Sequence, residues 1–395
     1  MKSTSRPGNL RRASLLLLVF TGVYAETELA HAIPYYARKH GLRCNACHAI
    51  VPKLNAYGQA FWNRGYRLPE GTEDPNNDTA PFAAWITTRQ EERTDADFSE
   101  GFINKVELIS GGPIGDNASY FVEWRMVSLG LRGDGTLRDR AGRFEDAFIN
   151  YSFTDRLSMM AGQFRAVNQE DVSLRLSTSE PAILSSSLPG EPSSDSRITS
   201  LRSFSPSGRS PGVSMTYQSI FGETDSDGLF HIVTVPFVGE LSWPLTPEAH
   251  DEASFELQGP PKGVFLESFY RQGLSSIGMH AFVDDDRYLL TGLGKLNVDN
   301  FFLTGGLGVD DTDQRASRLR TSLEIEYLHM DDYCDTFRPG AGFRVESISH
   351  DGREPSYIPY LAVTAPNEFW TLLLQIQFRL QEDNDSFVFD LSAIF

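Results

Sequence analysis

The chain has 395 residues and a net charge of −18, with 22% charged and 40% hydrophobic residues and a mean hydropathy of −0.29. A chain this acidic is not built to bind nucleic acid, whose phosphates attract basic surfaces. Three cysteines are too few for a disulfide scaffold, and beyond residue 32 no run of about eighteen apolar residues offers a membrane-spanning helix.

Residues 1–32 read as a secretory signal. Lys2, Arg6, Arg11 and Arg12 form a basic start, Ala13 to Ala25 an apolar stretch, and Ala30-His31-Ala32 a small-residue cleavage site, with a cut after Ala25 as the alternative. The pair Arg11-Arg12 lacks the surroundings of a twin-arginine signal, so the ordinary secretory route is expected. The apolar stretch is too short to span a bilayer.

Residues 33–80 read as a compact helical unit. Pro34 to His40 followed by Gly41 predicts a short helix with a glycine stop. Next comes Cys44-Asn45-Ala46-Cys47-His48, the C-x-x-C-H spacing of covalent c-type haem attachment. Two thiols at that spacing form thioethers to the haem, and the adjacent imidazole reaches the iron, so one segment supplies tether and proximal ligand. Zinc needs two more N or S ligands, and the only other cysteine, Cys334, is remote in the chain. A thioredoxin-like site needs a βαβ pattern, and none surrounds the motif.

Pro52 is expected to open a second helix carrying Leu54, Tyr57, Gly58 and Phe61 at helical spacing, ending near Gly65. In so small a unit Tyr57, Phe61 and Trp62 serve as core and haem wall at once, and a staple or cofactor is needed for stability. The distal position of the iron has no obvious ligand, because no methionine lies between Met1 and Met126. His31 leaves with the signal, and His40 reads as a surface or cap residue. A residue of the following β region must serve, or the position is open. Met160 and His280 are the candidates that alternation turns inward, whereas Met126, Met215 and Met279 share apolar faces.

From Pro81 onward the pattern changes to period two. Leu323, Ile325 and Tyr327 alternate with Glu324 and Glu326; Phe343 and Val345 with Arg344 and Glu346; Val122, Trp124 and Met126 with Glu123 and Arg125; Val106 and Leu108 with Lys105 and Glu107. Charges on so many strand faces suit a lumen, with the apolar faces turned to lipid. The final strand, ending Phe387, Phe389, Leu391, Ala393 and Phe395 on one face, looks like the closing strand of an outer-membrane barrel. About sixteen strands are predicted, with fourteen or eighteen as alternatives: 81–92, 102–110, 118–128, 143–153, 157–165, 212–219, 228–238, 263–271, 275–283, 287–296, 300–309, 318–328, 340–348, 356–364, 368–380 and 385–395. The fold class is therefore mainly β: an antiparallel transmembrane barrel over 81–395 behind a small N-terminal helical cytochrome c domain.

Parity sorts the connections. Long ones at 129–142, 166–211 and 239–261 fall on the external side, and short ones at 154–156, 272–274, 297–299 and 365–367 on the periplasmic side. The stretch 329–339 is long for a periplasmic turn and points to a misplaced strand boundary. The Ser- and Pro-rich stretch 166–211 either stays disordered or folds inward as a constriction.

The residues Ile33-Pro34-Tyr35-Tyr36-Ala37-Arg38-Lys39-His40-Gly41, Cys44-Asn45-Ala46-Cys47-His48, Pro52-Lys53-Leu54-Asn55-Ala56-Tyr57-Gly58 and Gly65-Tyr66 resemble the N-terminus of the fused monohaem cytochrome–porins of iron-oxidising bacteria. The resemblance covers about the first thirty-five mature residues and is architectural beyond them. It implies one covalent haem c on Cys44, Cys47 and His48 in a domain that plugs or enters the barrel lumen, oxidation of extracellular Fe(II), and transfer of the electron to a periplasmic c-type cytochrome. Acidic clusters in predicted external connections, namely Asp95, Asp97 and Glu100; Asp284, Asp285 and Asp286; Asp310, Asp311 and Asp313; and Glu382, Asp383 and Asp385, would concentrate Fe²⁺ or serve simply as solvated loop surface. Asp331, Asp332 and Asp335 are placed to meet a basic periplasmic cytochrome. Two other functions compete: a porin or solute channel gated or plugged by its haem domain, and the same conduit run outward to extracellular acceptors. Cys334 receives no role.

Overall fold

The computed structural model describes residues 34–68, 81–93, 98–127, 129–131, 137–139, 142–169, 174–179, 181, 183–184, 209–221, 227–237, 239–242, 254–257, 263–284, 287–312, 315–330, 337–349, 354–366, 371–381 and 385–394. The signal reading at 1–32, Cys334, the trio Asp331, Asp332 and Asp335, and Phe395 lie outside them.

The helical unit comes first: α1 (Pro34–His40), α2 (Cys44–Cys47), the tiny hairpin β1 (His48–Ile50) and β2 (Lys53–Leu54), then α3 (Ala56–Asn63). The first helix ends as expected at Gly41, whose φ of 61° suits glycine. The second differs from expectation, because Pro52 sits in the turn of the β1–β2 hairpin and α3 begins four residues later. Asn55 is the reason: its side-chain oxygen accepts from the Gly58 amide at 2.9 Å, a cap that proline cannot provide.

The rest is sheet. It runs β3 (Ala83–Arg93), β4 (Phe98–Ile114) and β5 (Ala118–Val127), then a small ribbon of β6 (Leu129–Leu131) and β7 (Leu137–Asp139). Next come β8 (Arg143–Thr154), β9 (Leu157–Arg165), β10 (Arg209–Ile220) and β11 (Gly228–Pro236), then a second ribbon of β12 (Gly239–Ser242) and β13 (Ser254–Leu257). Finally follow β14 (Val264–Gln272), β15 (Ser275–Val283), β16 (Arg287–Val298), β17 (Phe301–Thr312), β18 (Arg315–Leu328), β19 (Arg338–Ile348), β20 (Ser356–Pro366), β21 (Thr371–Arg379) and β22 (Ser386–Ile394).

Strand β11 pairs directly with β14, so the β12–β13 ribbon is an excursion from the ring that touches it again where Ser242 pairs with Arg143 of β8, and β22 pairs with β3 from Ser386↔Arg93 to Ile394↔Trp85. These pairings close an antiparallel barrel of sixteen strands, in agreement with the sixteen periodic segments. Closure leaves no open edge, which is what backbone amides in hydrocarbon require. The doubtful boundary near 329–339 proves sound: Leu328 pairs with Gly340, so a long connection does sit at the short-turn end.

The wall is turned inside out relative to a water-soluble protein. Met279, Leu323 and Ile277 are 64%, 56% and 66% exposed on the outer surface, while Arg320, Arg344 and Glu107 are fully buried within. Part of the stretch after β9 folds into the lumen. Glu267 accepts from the Gln169 amide at 2.8 Å, Gln375 donates to the Leu176 carbonyl at 2.8 Å, and Arg344 donates to Ser179 Oγ at 2.6 Å. Leu176, Ile183 and Leu184 are buried there, so the described part of this stretch follows the inward alternative.

Candidate functional site

The helical unit sits in the mouth of the barrel at the short-turn end and touches several sides of it. Arg38 donates to the Phe82 carbonyl at 3.0 Å and Arg67 to that of Gly115 at 3.0 Å. Arg338 donates to the Ala49 carbonyl at 3.1 Å, and the Thr364 hydroxyl to that of Val51 at 3.4 Å. Tyr35, Tyr36, Phe61 and Tyr66 pack with Ala83 and Ile109 of the wall, and Ala49 and Ile50 with Phe302, Leu328 and Ile358. Leu176 of the inward segment joins the second cluster, so that segment meets the unit from the lumen side.

Within the unit the C-x-x-C-H residues are held tightly. Cys44 and Cys47 lie on the single turn of α2 with free thiols, and Cys44 Sγ lies 3.5 Å from Thr371 Oγ1 on β21. Helix α3 crosses α2 so closely that a Cβ on Gly58 would lie 2.1 Å from the Cys47 carbonyl oxygen, which requires glycine there. Asn55 ties the helices together, donating through Nδ2 to the carbonyls of Asn45 and Ala46, each at 3.1 Å. His48 Nδ1 lies 2.9 Å from the Pro52 carbonyl oxygen. A carbonyl only accepts, so Nδ1 carries the proton and Nε2 keeps the lone pair.

The titration of these groups narrows their chemistry. Burial pushes both thiols up to about 11, with the hydrogen bond to Thr371 opposing that rise at Cys44. At neutral pH the unbound groups are therefore protonated thiols. Burial pushes His48 down to about 4, against the opposing hydrogen bond to Pro52, so the imidazole is neutral at neutral pH. Two free thiols one turn apart, followed by an imidazole whose second nitrogen is fixed by a carbonyl, form a donor set that fits covalent haem c.

The two distal-ligand candidates do face inward, but the structure does not bring them to Cys44. Met160 lines a small cleft, open to solvent, between Trp62 and Tyr66 of the unit and Phe148, Phe230 and Arg271 of the wall. Its strand β9 is separated from β21, where Cys44 rests, by five strands around the barrel. His280 is buried on β15, with Nδ1 3.0 Å from Thr291 Oγ1 and Nε2 3.2 Å from Glu267 Oε1, so both ring nitrogens are engaged with the wall.

Many of the described lumen charges are paired. Glu107, Glu123 and Glu145 are, among the described residues, the only group of three His, Cys, Asp or Glu side chains at metal-binding spacing. Cations fill that spacing: Arg209 lies 2.9 Å from Glu123, Arg125 lies 2.7 Å from Glu145, and Lys105 lies 2.5 Å from Glu107. Of the expected external acidic clusters, Asp310 is corrected. It is fully buried and holds Arg318 and, at 2.5 Å, Arg320, because its position on β17 turns it into the lumen. Asp95, Asp97, Asp285, Asp286, Asp313, Glu382 and Asp383 lie outside the described residues.

One residue escaped the sequence reading. Lys53 leaves the unit, enters the wall and pairs with Glu326, at 5% and 3% side-chain exposure. A signal for it existed: residues 34–68 contain six Lys and Arg and no Asp or Glu, within a chain of net charge −18. A basic segment in an acidic chain points to partners in that same chain.

A closed sheet with an apolar exterior and a charged, filled interior is the β architecture that crosses bilayers, with short turns on the periplasmic side. The chain is an outer-membrane β-barrel. No family model and no curated protein sequence matches it. Solved structures similar to it are porin-like barrels. An anion-selective porin from Comamonas acidovorans has 9% identity and a TM-score of 0.45, with 80% of this chain and 98% of that one covered. The outer membrane channel DcaP of Acinetobacter baumannii has 14% identity and a TM-score of 0.43, with 80% and 96% covered. OprB of Pseudomonas putida, in its high-pH structure, has 11% identity and a TM-score of 0.45, with 80% and 93% covered.

Proposed function

We propose that this barrel is an electron-transfer protein: a monohaem cytochrome c unit seated in the periplasmic mouth of a porin-like barrel, which takes electrons from extracellular Fe(II) and passes them to a periplasmic c-type cytochrome. The observation that carries this reading is the position of Cys44, Cys47 and His48. They lie within the mouth, with the His48 ring fixed by the Pro52 carbonyl and the thiols free. A bound haem would supply one-electron exchange between ferrous and ferric iron. The chain's own residues hold the proximal imidazole neutral, bury its surroundings and occupy the lumen with the unit and the inward segment. Ferrous iron as the donor is supported by the resemblance of residues 33–66 to fused cytochrome–porins. Oxidation outside the cell also keeps ferric mineral out of it.

One observation favours a second reading, a solute channel carrying a haem plug. The cleft beside Trp62 and Met160 leaves a gap between unit and wall. One preparation separates the two. Protein purified from outer membranes is expected to carry haem mass on the peptide containing Cys44 and Cys47. Its ferric absorbance should convert to ferrous on anoxic mixing with Fe²⁺, and it should pass little ion current in a planar bilayer. Haem that stays ferric under excess Fe²⁺, together with steady single-channel conductance, replaces the electron-transfer reading with the channel.

A further inference from the structure

We infer that the buried ion pair between Lys53 and Glu326 is an electrostatic regulator of the haem site, by which the barrel wall sets its redox potential; this rests on the haem reading above. Lys53 follows Pro52, the residue whose carbonyl fixes His48 Nδ1, and its hairpin partner strand begins at His48 itself. From there the side chain crosses to the wall, where its ammonium lies 3.8 Å from the centre of the Phe302 ring and pairs with Glu326 Oε1. The other carboxylate oxygen accepts from the Tyr360 hydroxyl at 3.1 Å. Tyr360 has one hydroxyl proton, which it shares between that oxygen and Glu324, and Glu324 faces Arg344 at 3.5 Å. The arrangement is almost wholly removed from water, so its charges are poorly screened.

The consequence is a sign rule. With both charges present their fields at the haem site oppose each other. Removing Lys53 leaves a carboxylate, which favours the more positive ferric state and lowers the potential; removing Glu326 leaves an ammonium, which raises it. A pair that serves only as a mechanical latch predicts no such opposition. The hairpin also has other anchors, since Arg338 and Thr364 hold the Ala49 and Val51 carbonyls, so it is expected to stay in place in the polar variants of Lys53 and Glu326.

The test uses the full-length holoprotein in detergent and compares the haem midpoint potential and visible spectrum of K53Q, E326Q, K53Q/E326Q and K53R. The expected result is a downward shift for K53Q, an upward shift for E326Q, a return towards wild type in the double variant and little change in K53R. Shifts of the same sign, or none, overturn the inference while leaving the haem reading intact. If K53Q takes up no haem, the step from E326Q to the double variant carries the test, and a potential that does not fall across that step overturns the inference. Wild-type protein without haem mass on the Cys44–Cys47 peptide overturns the underlying reading instead.

Discussion

The barrel wall and the helical unit in its mouth satisfy their backbone polar groups by opposite means. The wall is self-sufficient, with every strand paired to two neighbours and the ring closed between β22 and β3. The unit of residues 34–68 is too short to do this and borrows donors from the wall, Arg338 for Ala49 and Thr364 for Val51, while Arg38 and Arg67 reach back to wall carbonyls. Charge divides along the same line, since the unit has no acidic residue within a strongly acidic chain. The difference teaches that wall and unit should fail separately, the wall through its lipid face and the unit through the proposed haem, its histidine and its borrowed contacts.

The sharpest break in that comparison is the pair of thiols. The variant C44A/C47A is expected to lose covalent haem completely, read as the mass of the tryptic peptide, while the barrel keeps its heat-modifiable mobility in gels. Joint loss of haem and barrel would show that the wall depends on the unit. The converse variant is L323R. Leu323 stands near the middle of β18 and is 56% exposed on the outer face, so an arginine there costs the barrel about 2–4 kcal/mol. Urea unfolding in lipid vesicles measures that cost, and haem content in the folded fraction should not change.

A pH scan sharpens the comparison further. Burial holds His48 at about 4 against its ordinary 6.5, so an unfolded unit binds a proton in that window and a folded one does not. Stability of the cofactor-free unit is therefore complete above 6.5 and lost as pH falls towards 4. At about 1.4 kcal/mol per unit this amounts to about 3 kcal/mol. Protease sensitivity of residues 34–68 in apoprotein should rise across that window. Holoprotein should lack the effect because a liganded Nε2 cannot take the proton, and so should an H48N apoprotein.

These two regions were unequally legible. Strand period and loop parity placed all sixteen strands, because each wall residue faces either lipid or lumen and that choice is written locally as apolar or polar. The C-x-x-C-H motif stands out in the sequence because its residues are adjacent, and the haem attached to it belongs to the proposal above. Helix α3 was misplaced because Pro52 imitates a helix start, whereas the true cap, Asn55, does its work through the Gly58 amide. Alternation correctly turned Met160 and His280 inward, yet it carries no information about azimuth around a barrel, and both stand on strands remote from β21. Cross-strand pairing was likewise hidden: Arg209 meets Glu123 over 86 residues of sequence, and Lys53 meets Glu326 over 273.

The smallest expected effect tests the borrowed hydrogen bonds. Arg338 Nη1 is donated to the Ala49 carbonyl in a buried setting, and both residues are less than a tenth exposed. In R338A that carbonyl loses its donor where water has little access, at a cost of about 1–3 kcal/mol. The loss falls on docking of the β1–β2 hairpin, since Arg338 opens β19 at the mouth and the β18–β19 ladder keeps its own amide bonds from Arg320↔Ile348 to Leu328↔Gly340. Hydrogen exchange should therefore quicken at residues 48–54 and remain unchanged along β18 and β19. Equal quickening in both places would mean that unit and wall share one cooperative structure, because a contact borrowed by the unit alone cannot loosen a strand that satisfies itself.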